Sequence, residues 1–177
     1  MLVSASTFYF SAKKSSIVYM KERVVGFEPY YNQDSKILIL GSFPSVKSRE
    51  VSFYYGNERN RFWTVLSTAF NESKPQSIEE KKALLDKHNI ALWDIVTECE
   101  IHASEDASIK VIGVANISLI LDTSNVQKII VNGNKAKEIF LKFYPQYEDK
   151  LICLPSTSPA NARLDVNVWI DTIRSLV

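Results

Sequence analysis

Four short apolar runs set the frame of this chain: ILIL at 37–40, IALW at 90–93, KIIV at 128–131 and LICL at 151–154. A strand with one wetted face alternates apolar and polar residues, whereas a strand buried on both faces reads as a near-continuous apolar run. Segments of helical period lie between and after them. Phe62, Val65, Leu66, Ala69 and Phe70 share one face, as do Ala136, Ile139, Phe140 and Phe143, and then Val166, Trp169, Ile170 and Ile173. Strands alternating with helices at this spacing predict an α/β fold whose parallel sheet is covered on both sides.

Local signals refine the elements. Ser77 with Glu80 forms a capping box that opens a helix running to about His88. Asn89 is a left-handed stop before the second apolar run. Residues 116–121 read as helix, and Gly133 turns the chain out of the third run. Residues 94–113 have mixed periodicity and receive no assignment. Trp63, Trp93 and Trp169 fall on core-facing positions, while His88 and His102 read as helix-end or surface residues.

At 177 residues the chain is expected to be one domain over 23–177. Residues 1–22 are Ser-rich and weakly periodic and read as an N-terminal extension. The net charge of +1 argues against a DNA coat protein, but not against an enzyme that grips a few phosphates at one place. No apolar run approaches the roughly 18 residues that cross a bilayer, and the start lacks the basic segment of a signal peptide. A cytoplasmic, monomeric chain without a membrane partner is expected. Cys99 and Cys153 lack metal-ligand spacing and read as packed, reduced thiols.

Two loops stand out. Residues 42–60 separate the first run from its helix, a length that in a compact domain is usually functional. Residues 155–163, PSTSPANAR, follow the fourth run. In open α/β sheets ligands sit beyond the carboxyl ends of the strands, and both loops begin there, so they are expected to meet across one cleft. The first offers Gly41 for close approach, Pro44 and Ser45 for a turn, Tyr54 and Tyr55 as flat surfaces, and Asn60 just before the helix. The second offers Ser156, Thr157, Ser158 and Asn161 around two prolines, a set suited to phosphate contact. Neither carries a metal-ligand cluster, a Gly-rich phosphate cradle or a nucleophile elbow. Bland readings stand beside these: Asn60 as a helix cap, the tyrosines as loop packing, Ser156 to Asn161 as a helix entry, and Arg59 and Arg61 as either phosphate grips or solvated side chains.

ILILGSFPS at 37–45, FYYGNERNRFW at 53–63 and LPSTSPANAR at 154–163 together resemble the uracil-DNA glycosylase superfamily, most closely its hypoxanthine-DNA (deoxyinosine) glycosylase branch. Weaker matches are ASEDASIK at 103–110, Asn116 and VNGNKAKEIF at 131–140. The resemblance implies a three-layer α/β/α fold with a four-stranded parallel sheet. It implies a monofunctional enzyme, without metal or other cofactor, that hydrolyses the N-glycosidic bond of a deaminated base, hypoxanthine, in double-stranded DNA. The base would be flipped out of the duplex into the pocket and released through an oxocarbenium-like sugar.

The resemblance also distributes roles. Uracil-specific members place a water-orienting Asp or Asn where this chain has Phe43; the deoxyinosine branch shares that change and uses the Asn of its RNxFW piece, here Asn60, to orient the water or the leaving base. Gly41, Ser42, Phe43, Pro44 and Ser45 would line the base pocket, with Tyr55 stacked on the base. Ser156, Ser158, Pro159 and Asn161 would pinch the DNA backbone, and Asn161 or Arg163 would fill the gap left by the flipped base. The chain departs from its relatives at Asn57-Glu58, where they commonly have His-Pro, and at Ala103, where the branch often has Gly. Losing the proline predicts a looser loop, and Glu58 adds a negative charge near DNA. Three other functions remain open: a uracil or G·T/U mismatch glycosylase on the same fold, a DNA-binding module on an inactive scaffold, and a free-nucleoside hydrolase, which the DNA-pinching loop disfavours.

Overall fold

The computed structural model describes residues 21–102 and 109–177. Its centre is a four-stranded parallel sheet built from the four apolar runs: β2 (Ile37–Gly41), β3 (Ile90–Asp94), β6 (Lys128–Asn132) and β7 (Leu151–Leu154), in the order β3-β2-β6-β7. Every residue of β2 and β3 is buried, as two-sided cover demands.

The helices follow from chain direction. From β2 the chain steps one way along the sheet to β3, through α2 (Phe62–Ala69) and α3 (Ile78–Lys87). From β6 it steps the other way to β7, through α5 (Asn134–Phe143). Right-handed crossovers in opposite directions put their helices on opposite faces, which yields the expected three layers. The last helix, α6 (Val166–Leu176), packs against α2. The capping box is present, with Ser77 Oγ accepting from Glu80 N at 3.1 Å and Glu80 Oε2 from Ser77 N at 3.3 Å. Asn89 has φ of 56°, the left-handed stop. All three tryptophans are buried, and each indole N–H donates to a loop carbonyl: Trp63 to Tyr54, Trp93 to Phe27 and Trp169 to Pro155. His88 caps α3 and stacks on Phe70 at 3.7 Å.

The unassigned stretch 94–113 turns out to hold two strands, β4 (Val96–His102) and β5 (Ile109–Val114). With β1 (Lys21–Val25) they form a second, antiparallel sheet in the order β1-β4-β5. Its pattern escapes a sequence reading because β4 carries Glu98 and Glu100 and its register shifts at Glu98. Lys21 and Glu22, read as the end of an extension, open β1; residues 1–20 lie outside the described residues, as do Ala103 and most of ASEDASIK. The 42–60 loop also contains a short helix, α1 (Val46–Glu50), capped by Ser45. Residues 117–123 form α4. Among the described residues no helix is long and apolar enough to cross a membrane.

Candidate active site

Between the carboxyl ends of β2 and β6 lies the point where the sheet's connections diverge, from β2 to β3 on one side and from β6 to β7 on the other. Open α/β sheets leave a crevice there. Here it is a cavity of about 180 Å³, lined by Gly41, Ser42, Phe43, Pro44, Ser45, Ser48, Tyr54, Tyr55, Asn60, Asp94, Asn132, Ser156, Thr157 and Ser158. At roughly 30 Å³ per water that is room for about six waters, the scale of one flat heterocycle rather than of a drug-sized ligand.

The floor is made by strand ends. Gly41 ends β2 and pairs with Asp94, which ends β3. A Cβ at Gly41 would overlap Asp94 Oδ1 and stand 3.3 Å from the Tyr55 hydroxyl, so the glycine is the space in which these two groups converge. Asp94 is only 5% exposed. Its carboxyl makes no hydrogen bond among the described residues, and burial pushes its pKa up to about 7. The Tyr55 hydroxyl is enclosed and likewise lacks a hydrogen bond of good geometry. Burial and the neighbouring Asp94 raise its pKa, so it stays a neutral phenol. Asn132, ending β6, holds Thr157 with both ends of its amide and also faces the Tyr55 hydroxyl: Nδ2 donates to Thr157 Oγ1 at 2.8 Å and Oδ1 accepts from Thr157 N at 2.9 Å. That clamp fixes the second loop over the sheet. Gly133 makes it possible, since its φ of 97° suits glycine and a Cβ there would press on Ser156 Cβ at 3.0 Å.

Asn60 stands at the mouth. It borders both the cavity and a larger outer groove of about 800 Å³ lined in part by Glu58, Trp63, Lys74 and Lys81. Its Oδ1 accepts from Phe62 N at 3.0 Å from one residue ahead of Arg61, the cap position of α2, so the side chain is fixed to the helix start without being the cap itself. Its Nδ2 has no partner among the described residues and is left as a donor at the mouth. The turn before it is tight without a proline: Asn57 Oδ1 accepts from Arg59 N at 3.0 Å and Asn57 O accepts from Asn60 N at 2.8 Å. This Asx-turn supplies the constraint expected to be missing. Glu58 is exposed on the outer groove, not in the cavity.

The two tyrosines separate. Tyr54 is 3% exposed, donates to Glu28 O at 2.7 Å and packs edge-on against Phe27 and Phe53; it is core that touches the cavity wall, not a stacking platform. Tyr55, at φ of 51°, has its ring stacked on Phe62 at 3.8 Å while still lining the cavity. Phe43 lines the cavity and brings no hydrogen-bonding group, as its place in the sequence implied.

Arg61 is neither a phosphate grip nor a solvated side chain. Its Nη2 donates to Ser158 O at 2.9 Å and Asn161 O at 2.5 Å, and its backbone N to Thr157 O at 3.1 Å. It straps the two loops together. Asn161 Nδ2 donates to Ser156 O at 2.9 Å, so its amide nitrogen is turned into the loop. Arg59 and Arg163 are exposed and make no side-chain hydrogen bond. The structure thus brings Gly41, Ser42, Phe43, Pro44, Ser45, Tyr55, Asn60, Ser156 and Ser158 to one cavity, and leaves Pro159, Asn161 and Arg163 on the flanking loop. Asp94 and Asn132 are additions, and Thr157, already named with the second loop, is fully buried. Asp94 and Asn132 are each the first strongly polar residue after an apolar run at a carboxyl strand end, a signal that was present in the sequence.

Comparison with known proteins gives a consistent picture. Residues 28–171 match the model of the uracil DNA glycosylase superfamily. A hypoxanthine DNA glycosylase of Methanosarcina acetivorans is 36% identical over 145 residues, covering 80% of this chain and 90% of that protein. One of Methanosarcina barkeri is 34% identical over 143 residues, covering 78% and 88%. A Methanosarcina acetivorans protein solved by NMR as a candidate uracil DNA glycosylase superposes with a TM-score of 0.78 at 29% identity, covering 88% of this chain and 99% of that one.

Proposed function

Because the chain belongs to the uracil DNA glycosylase superfamily, we propose that it is a hypoxanthine DNA glycosylase, a hydrolase that removes deaminated adenine from double-stranded DNA. The observation that carries this reading is the pairing of Phe43 with Asn60 at one cavity. The wall where uracil-specific relatives hold a water-orienting group is apolar here, and an amide fixed by the Phe62 N–H stands at the mouth instead. The relatives named as hypoxanthine DNA glycosylases support it.

In this reading the flipped base fills the cavity and the deoxyribose remains at the mouth beside Asn60. As the glycosidic bond breaks, positive charge develops on the sugar and negative charge on the base. Asn60 Nδ2 donates toward the leaving base, and the second lone pair of its Oδ1 holds a water against the sugar. Ser156 and Ser158, on a loop already fixed by Arg61 and Asn132, take the flanking phosphates. Arg163, the long uncommitted side chain of that loop, enters the gap in the duplex. The rigid loop lowers the entropy cost of holding the distorted strand.

The test is a panel of duplexes carrying inosine, uracil, xanthine or a G·T mismatch, incubated with the protein and then treated with alkali. Strand cleavage at inosine is expected. Cleavage at uracil but not inosine would move the reading to the uracil or mismatch glycosylases, and specific binding without product to an inactive scaffold. Asn60→Ala is expected to lower inosine excision by about 10²-fold, the scale of one lost donor at a developing charge, with the fold intact by circular dichroism. Excision near the wild-type rate would remove Asn60 from the mechanism.

A further inference from the structure

Resting on the glycosylase reading above, we propose that the outer groove beside Asn60 is a track for the lesion strand, in which Lys74 and Lys81 together grip one backbone phosphate next to the flipped nucleotide. The groove measures about 800 Å³ and joins the cavity at Tyr55 and Asn60, which line both. Its base is apolar and firm. Trp63 is buried, its ring packed against Phe53 and Phe62 and its indole N–H held by Tyr54 O at 3.2 Å. Pro75 is buried, Ile78 half-buried and Val51 exposed along the same groove.

Two cations stand over this base without an anion. Lys81 is half-buried, with its Nζ 5.4 Å from the centre of the Trp63 ring. Burial, with the charge of Lys74 beside it, holds its ammonium below the usual lysine range. Arg23, Lys47, Lys87 and Lys110 each have a carboxylate partner, whereas Lys74 and Lys81 have none among the described residues. The two carboxylates that share the groove are turned elsewhere. Glu79 is held at the start of α3 by its own backbone N–H and the Ser77 hydroxyl. Lys47, paired with Glu50, is the cation that feels Glu58. An exposed lysine needs no partner, but a half-buried one held next to a second positive charge is costly until an anion joins them.

The site itself supplies that anion. With the base in the cavity and its deoxyribose at Asn60, the strand leaves the mouth in two directions. One passes the second loop, where Ser156 and Ser158 hold it. The other passes the first loop and enters the groove that opens at Asn60. Deoxyribose fits against the apolar base of the groove, and a phosphodiester fits between the two ammonium groups. A chain with a net charge of only +1 has little general attraction for DNA, so its grip has to come from a few cations placed at the mouth.

The test measures binding of the whole protein to an inosine duplex whose 2′-fluoro sugar blocks cleavage, over a range of salt. Lys81→Met keeps the stem on Trp63 and removes the charge. Combined with Lys74→Gln, it is expected to weaken binding about tenfold and to lower the slope of log affinity against log salt by about one, the loss of one phosphate contact. Lys128→Gln, at the amino end of β6, is expected to leave the slope unchanged. Neutral methylphosphonates are then placed one at a time around the lesion. One position is expected to weaken wild type about tenfold and the double variant hardly at all, because the partner of that phosphate is already gone. Should the double variant not fold, Lys74→Gln alone, at an exposed position, carries the same scan, with a reduced loss expected at that one phosphate. An unchanged slope in the double variant, an equal fall in Lys128→Gln, or equal losses in variant and wild type at every phosphate would each overturn the proposal. Wild-type excision of an unblocked inosine duplex separates the failures. No excision removes the glycosylase reading, while a coincidence at one phosphate still supports the groove as a DNA track; excision without that coincidence removes this proposal alone.

Discussion

The floor and the rim of the cavity are built on opposite principles. The rim consists of loops, the parts of a protein expected to be mobile, yet its polar groups are almost all committed. Asn57 and Asn60 tie the first loop to the start of α2, Asn161 ties the second loop to itself, and Arg61 joins the two. The floor consists of strand ends, the most rigid parts of the sheet, yet it holds a buried carboxyl and a buried phenol without partners. Hydrogen bonds on the rim fix position. On the floor they are withheld and left to whatever enters. One region therefore adds to stability and the other subtracts from it, which is open to experiment.

The largest expected effect is on the floor. Burial raises the Asp94 carboxyl from its ordinary value of 3.8 to about 7 in the folded chain. Between those values the folded state binds more protons than the unfolded state, so stability falls as pH rises through that window and levels off above it. Asp94→Asn removes this penalty. Its melting temperature is expected to match wild type near pH 4 and to exceed it increasingly toward pH 8, by an amount equivalent to roughly 2–4 kcal/mol. A constant offset across pH would mean that the carboxyl is solvated or paired, and the contrast between floor and rim would fail.

The same contrast explains what the sequence disclosed. The parallel sheet was legible because burial on both faces writes itself into four consecutive apolar runs. The second sheet was not. Its β4 strand reads VTECEIH with a shifted register, and its partner β1 lies far off in the chain, so that Arg23 finds Glu98 across 75 residues. The rim residues were legible because loops 42–60 and 155–163 are conspicuous for length and composition. Asp94 and Asn132 went unread because the polar residue that ends an apolar run is a weak signal on its own. It becomes a floor only when the order β3-β2-β6 sets the strand ends side by side. Arg61 was ambiguous because nothing in RNRFW states which way its side chain turns.

On the rim, Arg61→Ala is expected to cost about 1.5 kcal/mol, since it removes the charged donor shared by the carbonyls of Ser158 and Asn161 while each keeps a backbone donor, Asn161 N and Leu164 N. The loss should also appear as weaker DNA binding, because the second loop is no longer held over the cavity. Arg61→Lys should recover only part, as its ammonium ends one bond short of the Nη2 that donates to both carbonyls. Thermal melting alongside fluorescence-anisotropy titration of an inosine duplex checks both. An unchanged melting temperature in Arg61→Ala would show that the strap is redundant.

The smallest effect is the one that isolates rim geometry from global stability. Asn57 constrains the first loop through an Asx-turn that ends at Asn60. Asn57→Ala removes the side-chain acceptor for Arg59 N while leaving the backbone bond to Asn60. The turn is at the surface, so the cost is about 0.5–1 kcal/mol, within the usual range for a lost neutral hydrogen bond, and the melting temperature should hardly move. Excision should nevertheless fall several-fold, because the turn sets where Asn60 stands relative to the sugar. Adding Glu58→Pro to Asn57→Ala should recover much of that loss. Residue 58 is not among the positive-φ positions, and its amide makes no hydrogen bond, so proline can restrict the turn without removing a contact. Single-turnover excision rates of the three proteins decide the matter. If Asn57→Ala excises at the wild-type rate, the rim does not position Asn60, and its rigidity must serve the DNA backbone instead.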